Sequence, residues 1–274
     1  MAIRERELPV GWYPGDKSGV LSMIREFESA WGSPPWAGSA LACIAPHAGW
    51  AFSGALAWAA WMAADTPDTA VIVGGHLPGG FGFLSAPADG FETPLGVVRL
   101  DVDINQKVSK ILGARPDKAV DNTVEIHLPL LAARFPNASV AWFRAPNGPE
   151  AGDLGRALSD YADETGKKLF VLGSTDLTHY GPNYGWSPGG TGEQGRSWAG
   201  DADKAMAEAF VAMDIPGALA LADEKASACS VGAGIAAMSY AQARGRKRGT
   251  LLGRASSADL APGPSFVGYC AVAY

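Results

Sequence analysis

The stretch that decides the fold is LACIAPHAGWAFSG, residues 41–54. Residues 40–45 form a short apolar run that is typical of a buried strand and that stops abruptly before Pro46. His47 follows at once, and it is one of only four histidines in the chain. Beyond it we predict a helix over residues 55–64, with Ser53 as its cap, that is apolar on nearly every side and therefore buried.

The rest of the chain repeats this alternation of strand and helix. We predict strands over residues 69–74, 139–144, 168–173, 250–256 and 266–272, a hairpin over 90–100, and helices over 18–30, 103–112, 121–135, 151–165, 198–213, 216–223 and 231–243. Pro129 predicts a kink or a late start in the 121–135 helix. We therefore expect an α/β fold: a single domain, residues 1–274, with a central, mostly parallel or mixed sheet flanked by helices.

Composition narrows the classes of function. The chain has 274 residues, 47% hydrophobic and 18% charged, with a net charge of −6. The one dense basic run, residues 244–248, is better explained as a solvated turn than as a nucleic-acid patch. The three cysteines form no CxxC pair, residues 1–10 lack the apolar core of a signal peptide, and the longest apolar stretch is too short to span a bilayer. We expect a cytoplasmic protein that binds neither nucleic acid nor membrane.

Histidines follow three of the predicted strands. His47, His76 and His179 each lie at or just past a strand's carboxyl end, where α/β sheets bind ligands. One such histidine is more often structural, but three at one sheet edge favour a ligand cluster. Imidazole binds Zn, Fe, Cu and Ni. The residues alone leave the third ligand open among Asp176, His179 and a cysteine.

The cysteines and Asp176 each allow two interpretations. Cys229 precedes the helix predicted over 231–243, whose dipole would stabilise a thiolate, but a small buried hydrophobe fits equally well. Cys43 and Cys270 lie within or near strands and are expected in the core. Asp176 could orient His179, three residues later, as a general base, or it could simply cap a helical turn.

The order of these motifs resembles the MEMO family, whose prokaryotic members are also called AmmeMemoRadiSam system protein B. The matching elements are WYPGD (12–16), PHAGW (46–50) with SG (53–54), GGH (74–76), TPLG (93–96), DNTVEIHLP (121–129), STDLTHY (174–180), Cys229 and SFVGY (265–269). Where the family pattern has a histidine and a glutamine, this chain has Asn122 and His127, and Cys229 is followed by serine in place of glycine.

The resemblance implies a fold similar to that of class III extradiol dioxygenases. It implies that His47, His76 and Cys229 hold a metal, and that His179, steered by Asp176, takes the acid/base position. Fe(II) is the metal expected first, and Cu or Zn are alternatives because a thiolate is a softer ligand than a carboxylate.

Three functions are considered, and the resemblance supports the first two. The first is an oxidoreductase that acts on a small aromatic, catechol-like substrate with O2; the second is a non-catalytic module that binds a peptide or phosphorylated partner; the third is a Zn-dependent hydrolase. His127 is a candidate catalytic residue, either supporting the site or contacting substrate. We expect Trp50, Tyr180 and Trp186 to wall the pocket.

Overall fold

The computed structural model describes residues 2–274 as strands and helices in alternation. The strands are β1 (Ile3–Arg4), β2 (Ala42–Ala45), β3 (Thr69–Pro78), β4 (Leu84–Ser85), β5 (Gly90–Thr93), β6 (Gly96–Arg99), β7 (Arg115–Pro116), β8 (Ser139–Asn147), β9 (Leu169–Ser174), β10 (His179–Tyr180), β11 (Thr250–Ser256) and β12 (Phe266–Ala273). The helices are α1 (Lys17–Trp31), α2 (Trp50–Ala63), α3 (Val102–Leu112), α4 (Asn122–Glu125), α5 (Leu128–Arg134), α6 (Ala151–Thr165), α7 (Gly192–Ala212), α8 (Ile215–Lys225) and α9 (Val231–Ala243).

A nine-stranded mixed sheet forms the centre of the fold. Its order is β10-β12-β2-β9-β3-β8-β4-β7, and β11 pairs with β12. The neighbours β2, β9, β3 and β8 are mutually parallel, whereas β12 runs antiparallel to both β2 and β11. Every residue of β2 and β9 is buried, as expected for parallel strands that are covered on both faces. The predicted α/β architecture with a mixed central sheet is confirmed.

Helices cover both faces of this sheet, and alternate strand residues belong to opposite layers. Ile44 joins the core beneath α6, α7 and α9, and its neighbour Cys43 joins the core beneath α1, α2 and α5. Cys43 and Cys270 are fully buried, as predicted. Among the helices of residues 2–274, none combines the length and apolar character needed to cross a membrane. The cytoplasmic location stays a prediction.

Two helix starts differ from the sequence-based prediction. Helix α2 already begins at Trp50, capped by the backbone of Gly49, so the prediction that Ser53 caps it is wrong. Ser53 lies inside the helix, and its hydroxyl donates to the carbonyl oxygen of Ala48 at 3.1 Å. Helix α7 starts at Gly192 and not at residue 198. The break predicted near Pro129 is confirmed, because α4 and α5 are separate helices.

A close packing of α6 against α9 gives a first testable prediction. Gly155 of α6 faces the backbone of α9, and a Cβ added there would overlap the carbonyl oxygen of Ala236. Gly155→Ala is therefore expected to lower the free energy of unfolding by about 1–3 kcal/mol, measured by denaturant titration. Gly200→Ala is the matched control, because nothing lies within 4 Å of a Cβ at that exposed helical position. Helix propensity should stabilise this control by about 0.5–1 kcal/mol, so equal effects of both variants would contradict the packing argument.

Candidate metal centre

The carboxyl ends of β2 and β9 open onto a cavity of about 450 Å³. His47 follows β2, and Asp176 and His179 follow β9; all three line this cavity together with His76. Cys229 precedes the first turn of α9, and its backbone N–H donates to the carbonyl oxygen of Asp176 at 3.3 Å. The sheet therefore brings together all the residues that the strand-end pattern singled out.

His76 is placed by an irregularity of β3. The strand runs on to Pro78, beyond the predicted end at residue 74, and its pairing with β8 shifts between Gly74 and Leu77. At the shift, His76 has a φ of 57°, in the left-handed region that a residue with a side chain seldom adopts. Its backbone N–H donates to the hydroxyl of Ser230 at 3.1 Å. Bulges of this kind redirect a side chain, and this one accompanies the placement of His76 in the cavity.

Three ligand atoms converge on one point. One ligand atom each from His47, His76 and Cys229 lie within 4.8 Å of one another. The Nε2 of His47 is 3.2 Å from the Sγ of Cys229, and the two imidazole rings meet edge-on with centroids 5.0 Å apart. These are the donor types of soft and borderline transition metals such as Zn, Fe and Cu.

Hydrogen bonds behind both histidines orient them toward this point. The Nδ1 of His47 lies 3.0 Å from the hydroxyl of Ser174, and the Nδ1 of His76 lies 3.0 Å from a carboxylate oxygen of Asp121. Asp121 is held in turn by Arg144 at 3.1 Å. With Nδ1 engaged on each ring, Nε2 remains as the nitrogen that faces the cluster. Such outer-shell partners are typical of metal-binding histidines and fix ring orientation. The residues present therefore fit a metal ion.

The electrostatics of the cluster favour a thiolate. Burial alone would raise the pKa of Cys229, but the neighbouring His47, together with hydrogen bonds from His179 and His76, lowers it well below its ordinary value. Burial likewise opposes a charge on His76, yet the hydrogen bonds to Asp121 and Cys229 raise the pKa of His76 to about 10. A stabilised thiolate is the form of cysteine that binds metals.

Asp176 and His179 lie beside the ligand atoms. One oxygen of Asp176 accepts the backbone N–H of His47 at 2.7 Å, so Asp176 does not cap a helical turn. Its other oxygen lies 3.8 Å from the Nε2 of His179, which is a buried atom. Burial lowers the pKa of His179, but Asp176 and Cys229 outweigh it and raise that pKa to about 9. The ring of His179 lines the cavity and is therefore placed to exchange a proton with a ligand.

His127 lies behind the cavity and not in its wall. It is fully buried, and its Nε2 is 3.1 Å from the hydroxyl of Ser174. In this position His127 does not contact a substrate in the cavity, so that one of its two predicted roles is wrong. The other role, supporting the site, stays a prediction. Asn122 does line the cavity, and its side-chain amide donates to the carbonyl oxygen of His47 at 2.9 Å.

The aromatic walls differ from those predicted. Trp50 is buried against Tyr13 and Phe27, Tyr180 stacks on Phe266, and Trp186 lies outside the cavity lining, so all three assignments are wrong. The aromatic residues that do line the cavity are Trp12, Phe52, Tyr184 and Tyr269. Trp12 belongs to the WYPGD element of the family pattern, so the sequence did contain a signal that could have placed it near the metal centre. Tyr184, whose ring lies 5.0 Å from that of His179, had no such signal.

The loop that carries Asp176 and His179 is tied to α7 by Asp203. A carboxylate oxygen of Asp203 accepts the backbone N–H of Thr178 at 2.9 Å. Burial raises the pKa of Asp203 to about 6, although the bond from Thr178 and the charge of Arg254 oppose that rise. The folded state therefore binds a proton more tightly than the unfolded chain does at this position.

The raised pKa of Asp203 predicts a pH dependence of stability. Because the folded pKa exceeds the ordinary value of 3.8, the folded protein should lose stability as pH rises from about 4 to about 6. Each tenfold difference in proton affinity between the folded and unfolded states contributes about 1.4 kcal/mol to this loss. Asp203→Asn should remove the loss, since its amide oxygen still accepts from Thr178. Urea unfolding of the wild-type protein and of Asp203→Asn at pH 4.5 and 7.5, with a chelator present, measures this loss of stability. A stability difference between them that does not change with pH would contradict the prediction.

Comparisons with known proteins agree with the motif pattern. The family model of the Memo-like proteins matches residues 4–273. A MEMO1 family protein from Archaeoglobus fulgidus is 26% identical over 279 residues, which cover 99% of this chain and 99% of that protein. Another, from Methanopyrus kandleri, is 29% identical over 247 residues, with 84% of this chain and 82% of that protein covered.

A solved structure shares the fold. It belongs to an uncharacterized protein from Escherichia coli, which aligns with a TM-score of 0.54 at 12% identity and covers 84% of this chain and 98% of its own. This likeness concerns the fold alone. The match of the family model to nearly the whole chain goes further and shows that this protein belongs to the MEMO family.

Proposed function

We propose that this member of the MEMO family is a metal-dependent oxidoreductase in which His47, His76 and Cys229 hold one metal ion, Fe(II) foremost. Its substrate would be a small aromatic, catechol-like molecule that reacts with O2. The observation that carries the proposal is the convergence of the three ligand atoms within 4.8 Å of one another beside an aromatic-walled cavity. When bound, Fe(II) would supply the redox chemistry with O2 and attract the oxygens of the substrate.

His179 would handle the proton of the substrate. Its ring lines the cavity and its Nε2 lies 3.8 Å from a carboxylate oxygen of Asp176, so it would exchange a proton with a substrate hydroxyl. Asp176 would stabilise the protonated ring and hold the loop against the backbone of His47. These two residues would thus supply an acid/base group and the group that positions it.

The lining of the cavity supports a planar aromatic ligand without an acidic group. Trp12, Phe52 and Tyr184 offer apolar ring surfaces on which a flat ring can stack. Within residues 2–274, no Lys or Arg side chain lines this cavity, whereas Asp176 does. A substrate carboxylate would therefore lose water without gaining an ion pair to a lysine or arginine.

Oxygen uptake by the Fe(II)-loaded protein tests this function. Protein purified and reconstituted anaerobically should consume O2 with catechol, and kcat/KM for catechol should exceed that for protocatechuate, its carboxylated relative, by at least about 10-fold, or 1.4 kcal/mol. Stoichiometric Fe(II) with no uptake for either compound would contradict an oxidoreductase of this kind and favour a binding module. Faster turnover of the carboxylated compound would contradict the assignment of substrate class.

A Zn-dependent hydrolase is the second candidate. The observation that favours it is the thiolate among the three ligands, because Zn readily takes nitrogen and sulfur donors and can keep a fourth position for water. Tight stoichiometric Zn after purification, with hydrolysis of a model ester and no O2 uptake after Fe(II) loading, would support it over the oxidoreductase.

A further inference from the structure

The hydroxyl of Ser174 lies between two buried imidazole rings. Its Oγ is 3.0 Å from the Nδ1 of His47 and 3.1 Å from the Nε2 of His127. Exposure is 1% for His47 and 0% for both Ser174 and His127, so water does not compete for these bonds. We call this row of three side chains the Ser174 bridge.

A count of protons restricts how the bridge can be arranged. A serine hydroxyl donates one proton and accepts through its oxygen, and a neutral imidazole carries a proton on one nitrogen only. Burial lowers the pKa of His127 to about 3, so His127 is neutral. With both rings neutral, the hydroxyl proton is used within the bridge only if Ser174 accepts from one ring and donates to the other, which gives the bridge two possible directions.

A metal on His47 selects one of these directions. The Nε2 of His47 faces Cys229, so this nitrogen must be free of a proton when it binds a metal, and the ring proton then lies on Nδ1. That Nδ1–H donates to Ser174, whose own proton must point to the Nε2 of His127. His127 is thereby required to carry its proton on Nδ1, a buried atom that has no hydrogen-bond partner.

We propose that Ser174 and His127 are positioning residues that hold His47 in the tautomer needed for metal binding, and that metal binding in turn fixes the tautomer of His127. The inference rests on the proposed function, because it takes His47 as a ligand. It extends that function to two side chains that touch neither the metal nor the cavity. The site can thus impose a defined state on a ring behind its wall.

Nitrogen NMR of the histidine rings tests this directly. The chain has four histidines, so a protein labelled with 15N in histidine gives few ring signals, and Zn is a diamagnetic probe. On addition of Zn, His47 and His76 should show a metal-bound Nε2, and His127 should show a protonated Nδ1 with an unprotonated Nε2. If His47 and His76 do not respond, the proposed function fails. If they respond while His127 carries its proton on Nε2, the bridge is wrong and the metal centre stands.

Zn affinity provides a second readout. Ser174→Ala and His127→Leu should each weaken Zn binding by about 10–100-fold, as loss of an outer-shell partner does. His127→Gln should recover most of the affinity, because its amide oxygen can accept the same proton. Ser239→Ala is the matched control, since Ser239 is buried and its hydroxyl has no partner. Unchanged affinity in Ser174→Ala, or an equal loss in Ser239→Ala, would overturn the proposal.

Discussion

Cys229→Ser should bind Zn or Fe(II) more weakly than the wild-type protein by more than about 100-fold, since loss of an outer-shell partner alone costs about 10–100-fold. The substitution keeps the size of the side chain but replaces a stabilised thiolate by a neutral hydroxyl. His47, His179 and His76 all lower the pKa of the thiol, so three neighbouring rings favour the charged form of this one sulfur. Competition against a chromogenic chelator, with metal content per chain, measures the effect.

The matched control for this prediction is Cys270→Ala. Cys270 is fully buried in β12, and the cluster of ligand atoms does not include it. This variant should bind metal as the wild type does, with some loss of stability. Full metal content in Cys229→Ser would show that the ligand set is wrong, even if the protein proves to be a metalloenzyme.

His179→Gln should lower kcat by about 10²–10⁴-fold and leave the metal content unchanged. The glutamine can still fill the space beside Tyr184, but it can neither give nor take a proton near neutral pH. His179 is not among the three residues whose ligand atoms converge, so the metal should remain bound. Turnover of catechol by the Fe(II)-loaded variant and metal analysis of the same sample check both parts.

The two measurements separate an acid/base group from a ligand. Loss of metal together with loss of turnover would make His179 a ligand and contradict its role in proton transfer. Asp176→Asn offers a graded comparison, because it retains an acceptor for the backbone N–H of His47 but removes the charge that stabilises a protonated His179. Its kcat should lie between those of wild type and His179→Gln.

The sheet and the cluster were accessible from sequence because each depends on a local signal. Short apolar runs marked the buried strands, and polar residues directly after them marked the edge where ligands bind. His47 and His179 could be placed at that edge on this ground alone. The ligand role of Cys229, by contrast, depended on the family resemblance, since a cysteine before a helix fits the core equally well.

The walls of the cavity were not predictable in the same way. Trp50 and Phe52 are two residues apart in α2 and therefore point about 200° away from each other around the helix. Phe52 faces the cavity and Trp50 faces the core, where its indole N–H donates to the carbonyl oxygen of Ile126 at 3.1 Å. To predict which of the two rings faces the cavity, one must know where α2 begins, and the sequence pattern placed that beginning too late.

The partners that orient the ligands were also beyond the reach of local patterns. Ser174 hydrogen-bonds to His47, which lies 127 positions earlier in the chain, and to His127, which lies 47 positions earlier. Spacing rules describe neighbours within a turn or a strand and contain no information on such pairs. These contacts exist only once the parallel strands are side by side.

The distance along the chain between His47 and Cys229 has a consequence for the kinetics of folding. The two residues are separated by 182 positions, and their side chains meet only when β2 and the start of α9 have both docked. We expect so long a loop to close late in folding, because non-local contacts form slowly. An ion bound by these residues would therefore stabilise the finished fold without helping to nucleate it. Its effect would fall on the rate of unfolding and leave the rate of refolding almost unchanged.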